Sequence, residues 1–312
     1  MPDWDNLRHF LEVARTQRVS AAARRLAVEH TTVARRVRSL EAELGTLLFE
    51  KSRASGYTLT PDGERLFVHA AQIETALQCA REDLHDSGEQ PSGHLRIGVT
   101  EGFGCYVLTP LATAMQQRHP RLTLDVMPVP RFVSLSRHEA DLAITIEKPQ
   151  RGPYVCSKLC DYALGLYATP AYLHGHAPIA TAADLASHSF ISYVNDLVFS
   201  PHLRYLEDVL PGSRVILRST SVVAQYHATL QGHALAILPC FIAAQDPRLS
   251  RVLADEIQIE RSFWMYCHED LYRLRRIKLV WDYLRQAMDC NADLLGGREG
   301  APSKSASVSY TH

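Results

Sequence analysis

Residues 29–45 read EHTTVARRVRSLEAELG, and the fold of the N-terminal part turns on how this stretch is read. Its apolar residues are Val33, Val37, Leu40 and Leu44. At about 100° per residue they fall within about 40° of one line, a single buried stripe. The spacing predicts a helix over 31–44 ended by Gly45, the residue that most readily takes the left-handed cap conformation. Thr31, Thr32, Arg35, Arg38 and Ser39 occupy the opposite side, with Arg36 on the flank, and Glu29 is the sole carboxylate near the N-terminal half. A helix fits the major groove of B-DNA, where a guanidinium offers two parallel donors to guanine and hydroxyls hold phosphates. A merely solvated basic face has the same composition, so the choice rests on what surrounds the helix.

Leu7, Phe10, Leu11 and Ala14 recur at i, i+3, i+4 and i+7 and predict an amphipathic helix over 4–17. Ser20 is placed to cap a short second helix through Ala22, Ala23 and Leu26, although Ala23 stands where a capping-box Glu would be. Residues 49–60, with Gly56 and the alternating Tyr57 and Leu59, read as a small hairpin or wing with Lys51 and Arg53 near its tip. Thr60 as cap and Pro61 at the first helical position then open a long helix. Along it Leu66, Ala70, Ile73, Leu77, Ala80 and Leu84 are spaced 4, 3, 4, 3, 4, the seam of a short coiled coil. That seam serves either a second copy of the chain or the helix's own domain.

Residues 87–93 (SGEQPSG) have linker composition. Beyond them strands and helices alternate. Strands are expected around Leu95, Ile97 and Val99, around Leu122, Leu124 and Val126, and over 141–146 (DLAITI), which is apolar enough to be buried on both faces. A helix carries Leu108, Leu111, Ala112 and Met115. Further strands are expected at 163–168, 190–194 and 234–238, and helices at 222–231 and 274–288. The alternation predicts a parallel α/β sheet. Residues 296–312 are small and polar and read as a loose tail.

Composition narrows the class. The chain has 312 residues, 46% hydrophobic and 21% charged, with a net charge of −1. Its first 60 residues carry a surplus of three positive charges, a basic head on an acidic body. The seven cysteines are odd in number and scattered, as expected of reduced thiols in a cytoplasmic chain. Cys156 and Cys160 lack the second pair a zinc set requires, so no metal or other cofactor is expected. No run of about 18 apolar residues calls for a membrane span, and MPDWDNLRHF has no basic segment ahead of an apolar core, so no secretory signal is expected. No Walker-type loop, nucleophile elbow, dinucleotide fingerprint or His-Glu-x-x-His motif is present, which disfavours an enzyme. A pure solute-binding protein would not need the first 60 residues. A winged-helix regulator acting by oligomerisation alone, with no ligand, remains a rival.

Residues 6–66 resemble the N-terminal domain of LysR-type transcriptional regulators without a gap. The points of likeness are Phe10 and Ala14, Ser20-Ala21-Ala22-Ala23, the run from Leu40 through Glu41 to Gly45, Leu48-Phe49-Glu50, Leu59-Thr60-Pro61 and Gly63. The later pattern is similar to the family's effector domain, with landmarks at Ala140-Asp141-Leu142-Ala143-Ile144 and along residues 232–239 (GHALAILP). The sequence departs from the family at Glu29-His30-Thr31, where Ser-Gln-Pro or Ser-Gln-Ser is common. His30 and Thr31 thus replace a frequent base-reading Gln and its neighbour. Arg35 matches the family's basic contact, and Arg36 sits where Gln is common.

The resemblance implies a multi-domain chain. A mostly α winged helix-turn-helix for double-stranded DNA spans 1–60, and a linker and dimerisation helix with its hinge spans 61–92. A C-terminal α/β effector domain spans 93–295, built of two periplasmic-binding-protein-like subdomains, about 93–160 with 265–291, and about 161–264; the tail follows. DNA contacts are expected from His30, Thr31, Thr32, Arg35, Arg36, Arg38, Lys51 and Arg53. A small-molecule effector is expected between the subdomains, near strand ends and helix starts, at Thr100, Glu101, Arg131, Thr145, Tyr193, Ser219 and Ser221. Glu101 would repel a carboxylate ligand; it implies a neutral or cationic one, or else points outward. A homodimer through the linker helix, and a homotetramer through the effector domains, complete the implied assembly.

Overall fold

The computed structural model describes residues 3–52, 56–84, 91–129 and 140–297. The chain divides into two compact units, Met1–Glu89 and Gln90–His312. Residues 87–90 of the predicted linker and most of the predicted tail, 298–312, lie outside the described residues.

The first unit runs α1 (Trp4–Thr16), α2 (Val19–Leu26), α3 (His30–Leu44), β1 (Phe49–Ser52), β2 (Gly56–Leu59) and α4 (Pro61–Leu84). Leu7, Phe10 and Leu11 of α1 are buried with Ala22 and Ala23 of α2, Val33, Val37 and Leu40 of α3, and Phe67 and Ala70 of α4. Phe10 anchors this core, its ring centroid 5.3 Å from that of Phe49 in the wing. β1 and β2 pair antiparallel, Phe49 opposite Leu59. Thr60 caps α4 as expected, its Oγ1 accepting from the Gly63 N–H at 3.0 Å.

Two local expectations are corrected. Ser20 does not cap α2. The chain leaves α1 through a left-handed Gln17 (φ 55°), Arg18 becomes the extended N-cap without a side-chain bond, and Ser20 lies exposed inside the first turn. Leu44 is exposed although it lies on the apolar line of α3, because the helix outlasts the core by one turn before Gly45 (φ 67°) ends it. Glu41 is buried in its stead.

The second unit is built on one sheet. Its strands are β3 (Gly93–Thr100), β4 (Leu122–Val129), β5 (Leu142–Thr145), β6 (Tyr154–Ala168), β7 (Ser189–Ser192), β8 (Arg214–Arg218), β9 (Leu235–Pro239), β10 (Ser250–Val252) and β11 (Gln258–His268). Their order is β4-β3-β5-β11-β6-β9-β7-β8, with β10 on β6. The helices are α5 (Glu101–Phe103), joined by a π-helical turn to α6 (Thr109–Arg118), then α7 (Pro170–Gly175), α8 (Tyr205–Val209), α9 (Val222–Thr229), α10 (Cys240–Ala243), α11 (Glu269–Tyr272), α12 (Arg275–Cys290) and α13 (Ala292–Leu295). β5 is buried throughout, as its composition implies.

The sheet is mixed, not wholly parallel. β3 runs parallel to β4 and β5, and β7 parallel to β8 and β9, but β11 pairs antiparallel with both β5 and β6, and β6 antiparallel with β9. The segments ahead of β6 and β11, residues 146–153 and 253–257, contain no helix. Neither strand is therefore entered through a helical crossover. The two long strands pass between the parallel sets, and their register shifts between Phe263 and Trp264. β6 begins at Tyr154, well before the expected start at 163.

Candidate functional sites

α3 is held from one side only. With Val33, Val37 and Leu40 buried, its other side is solvent: His30, Thr31, Arg35 and Arg38 are exposed and Thr32 half-buried. Arg35 and Arg38 make no hydrogen bond or ion pair with any described residue. Arg36 differs. Its guanidinium lies 3.1 Å from Asp5 and 3.4 Å from Asp3, and donates to Asn6 at 3.3 Å, so α1 holds it. Its charge is therefore turned to its own unit. Glu29 caps α3 by backbone geometry without a side-chain bond, which leaves the first-turn N–H groups free of a side-chain acceptor. Lys51 is exposed on β1, its Nζ 5.5 Å from the Tyr57 ring centroid. Arg53 lies outside the described residues.

Sequence reasoning missed Glu41 as a functional support. Its carboxylate accepts the Leu48 N–H at 3.0 Å and the Phe49 N–H at 3.4 Å, fastening α3 to the strand of the wing. A charged residue on the edge of an apolar stripe ordinarily reads as solvated, and nothing in the sequence marks it otherwise.

The second unit holds a cleft of about 460 Å3, part of it open to solvent. Three expected residues meet there: Thr100 at the end of β3, Glu101 at the start of α5, and Tyr193 just after β7. Seven of the sixteen lining residues are aromatic, and of these only Tyr193 was anticipated. Tyr162 of β6 stacks on Phe263 of β11 at 4.4 Å and 19°, and Phe103 lies 4.4 Å from the same ring. Phe241, Phe199 and Tyr205 add further ring surface. Burial pushes the phenols of Tyr162, Tyr193 and Tyr205 above their usual range, so all three are neutral. The rings of Tyr193 and Tyr205 meet edge to face, their centroids 5.9 Å apart. Aromatic residues at strand positions read as core from sequence, which is why they gave no signal.

The remaining expected positions divide. Ser221 touches the cleft through Glu101: its Oγ donates to Glu101 Oε1 at 2.9 Å while accepting the Ala224 N–H at 3.0 Å as the cap of α9. Ser219 Oγ accepts the Ser221 N–H at 3.1 Å, and its neighbour Thr220 lines the cleft instead. Thr145 is likewise displaced by its neighbour Ile146, its own hydroxyl donating to the Glu147 carbonyl at 2.6 Å. Arg131 lies outside the described residues. Among the described residues, no group of His, Cys, Asp and Glu side chains is arranged to hold a metal ion, and no helix is long and apolar enough to cross a membrane.

A helix with one side exposed and a small wing in the first unit, and a cleft in the α/β second unit, are the features of a ligand-responsive DNA-binding regulator. The comparisons place the chain within that class. Residues 4–64 match the bacterial regulatory helix-turn-helix protein, lysR family, and residues 88–289 match the LysR substrate binding domain. The chain belongs to the LysR family of transcriptional regulators, with a helix-turn-helix DNA-binding domain and an effector-binding domain. It is similar to the HTH-type transcriptional regulator PtxR of Pseudomonas aeruginosa, 29% identical over 80% of this chain and 81% of that protein. It is also similar to the transcriptional activator TtdR of Escherichia coli K12, 25% identical over 89% and 91%. Among solved structures, a full-length OxyR variant from Pseudomonas aeruginosa shares the fold with a TM-score of 0.72 at 22% identity, over 91% of this chain and 95% of that one. CrgA of Neisseria meningitidis does so at 0.57 and 22%, over 90% and 97%.

Proposed function

We propose that the outward side of α3 reads operator DNA, that the aromatic cleft binds the effector, and that ligand binding changes the spacing of paired DNA-reading heads. The observation that carries the first part is the contrast between neighbouring arginines. Arg36 is neutralised by α1, whereas Arg35 and Arg38 project from a helix whose far side is anchored. Arg35 and Arg38 contact base edges or phosphates, with His30, Thr31 and Thr32 setting register at the uncapped helix start and Lys51 gripping the backbone from the wing. Arg36 holds α3 against α1 and does not contact DNA.

Pairing through α4 is supported by how its seam divides. Ala70 is buried and Leu66 half-buried in the first unit, but Ile73, Leu77, Ala80 and Leu84 are exposed in one stripe. An unpartnered apolar stripe of coiled-coil spacing is best covered by a second copy, and the family resemblance extends this homodimer to a homotetramer in the cytoplasm. Effector closure of the cleft then acts as a population shift between arrangements of the heads. Catalysis has no part in this reading.

The test is binding of the full chain to its own upstream DNA. Replacing Arg35 with Ala weakens specific binding by about 1–3 kcal/mol. Unchanged binding by R35A removes the assignment of this face.

A further inference from the structure

We infer that the effector is an amine: an apolar or aromatic body carrying a cationic nitrogen that seats against Glu101. The inference rests on the cleft being the effector site, and it goes further by naming the chemistry that site selects.

The lining of the cleft contains one ionisable acid, Glu101, and no Lys, Arg or His among the described residues. Arg261 acts on the Tyr162 and Tyr205 phenols, but its guanidinium donates to the Glu260 carbonyl and is not part of the lining. A ligand carboxylate would therefore meet a like charge within the lining, and the Arg261 guanidinium lies outside that lining.

Two polar atoms in this wall lack partners. Glu101 Oε1 is satisfied by Ser221, but Glu101 Oε2 is buried with no hydrogen bond, and so is the hydroxyl of the adjacent Thr100. Buried acceptors without donors are costly and uncommon. A ligand N–H satisfies Oε2 directly, and a charged nitrogen also gains from the faces of the surrounding rings. A neutral donor supplies the hydrogen bond alone. One unpartnered carboxylate oxygen on a residue of a lining rich in aromatic side chains thus favours an ammonium group joined to an apolar body.

The test uses the full chain and three probes of similar size, followed by calorimetric titration: 2-phenylethylamine, 3-phenyl-1-propanol and 3-phenylpropanoate. The amine is expected to bind at least about tenfold more tightly than the alcohol, a difference of about 1.4 kcal/mol, and the carboxylate most weakly. E101Q keeps an oxygen for Ser221 and replaces the unpartnered oxygen by a donor, so it removes the preference for the amine and leaves the alcohol unaffected. L203W, with V222F as a second filling variant, occupies the cleft and abolishes binding of every probe; melting without probe verifies that each variant is folded. Tighter binding of the carboxylate than of the amine, no binding of the amine, or an amine affinity unchanged in E101Q overturns the inference. If a probe binds and the folded filling variants leave that binding intact, the cleft itself is wrongly assigned, which separates the two failures.

Discussion

Glu41→Ala tests how the reading helix is fastened to the wing. Leu48 and Phe49 are fully buried, and the acceptor on both their N–H groups is Glu41 Oε1. Leu48 also receives the Thr60 N–H on its carbonyl at 3.0 Å, so one residue ties α3, β1 and the start of α4 together. Alanine leaves two buried donors without an acceptor, each costing about 1–3 kcal/mol. The 3.4 Å contact is longer than an ordinary hydrogen bond and counts at the low end. Relief from burying a carboxylate offsets part of the loss. The net expectation is a destabilisation of about 2–3 kcal/mol, whereas Glu41→Gln, which retains an acceptor oxygen, costs about 1 kcal/mol. The assay is amide hydrogen exchange at Leu48 and Phe49, which isolates the first unit within the full chain, together with DNA affinity. Exchange at these two amides accelerates in E41A and binding weakens, because the wing no longer holds its place beside α3. If E41A keeps its amide protection and melts within about 0.5 kcal/mol of the parent, the carboxylate is not the fastening and the reasoning fails.

Two further outcomes follow from the same unit. A Cβ on Gly63 would lie 2.1 Å from the Leu48 carbonyl oxygen and 3.0 Å from a Leu59 methyl, so Gly63→Ala forces the start of α4 away from the wing and costs at least about 2 kcal/mol in a melt; an unchanged melting temperature would contradict this. Leu77→Asp places a charge in the exposed stripe of α4 and is expected to weaken self-association at least about tenfold by sedimentation, while a dimer of parental strength would move the interface elsewhere.

The elements that could be read from sequence are those whose stripes face their own core. α1, α3, β3 and β5 carry their periodicity in nearby residues, and the structure buries those residues apart from Leu44 and the half-buried Ala14. Leu44 and Glu41 mark the limit. Both stand near the buried side of α3, and which one is enclosed depends on where the chain turns after Gly45 and how Leu48 returns, a tertiary matter. The sense of β6 and β11 was hidden for a related reason. β11 pairs with β5 and β6, and β6 with β9, strands distant in the chain, and those pairings are a tertiary matter that alternation along the sequence does not encode.

The two candidate sites differ in the same way. The face of α3 is a local property, so Thr31, Arg35 and Arg38 could be chosen from one helical wheel; only the capture of Arg36 by Asp3 and Asp5, some thirty positions earlier, escaped it. The cleft is the opposite case. Strand ends and helix starts pointed to Thr100, Glu101 and Tyr193, but its aromatic walls come from strands and loops far apart in the chain, each looking like core where it stands. Glu101 alone, read as a repelling acid or an outward charge, has no defined chemistry. Set against Ser221, 120 residues away, one of its oxygens is satisfied and the other is not. In a lining that it shares with seven aromatic residues, that unsatisfied oxygen changes from a puzzle in the sequence into a selector for the group that would complete it.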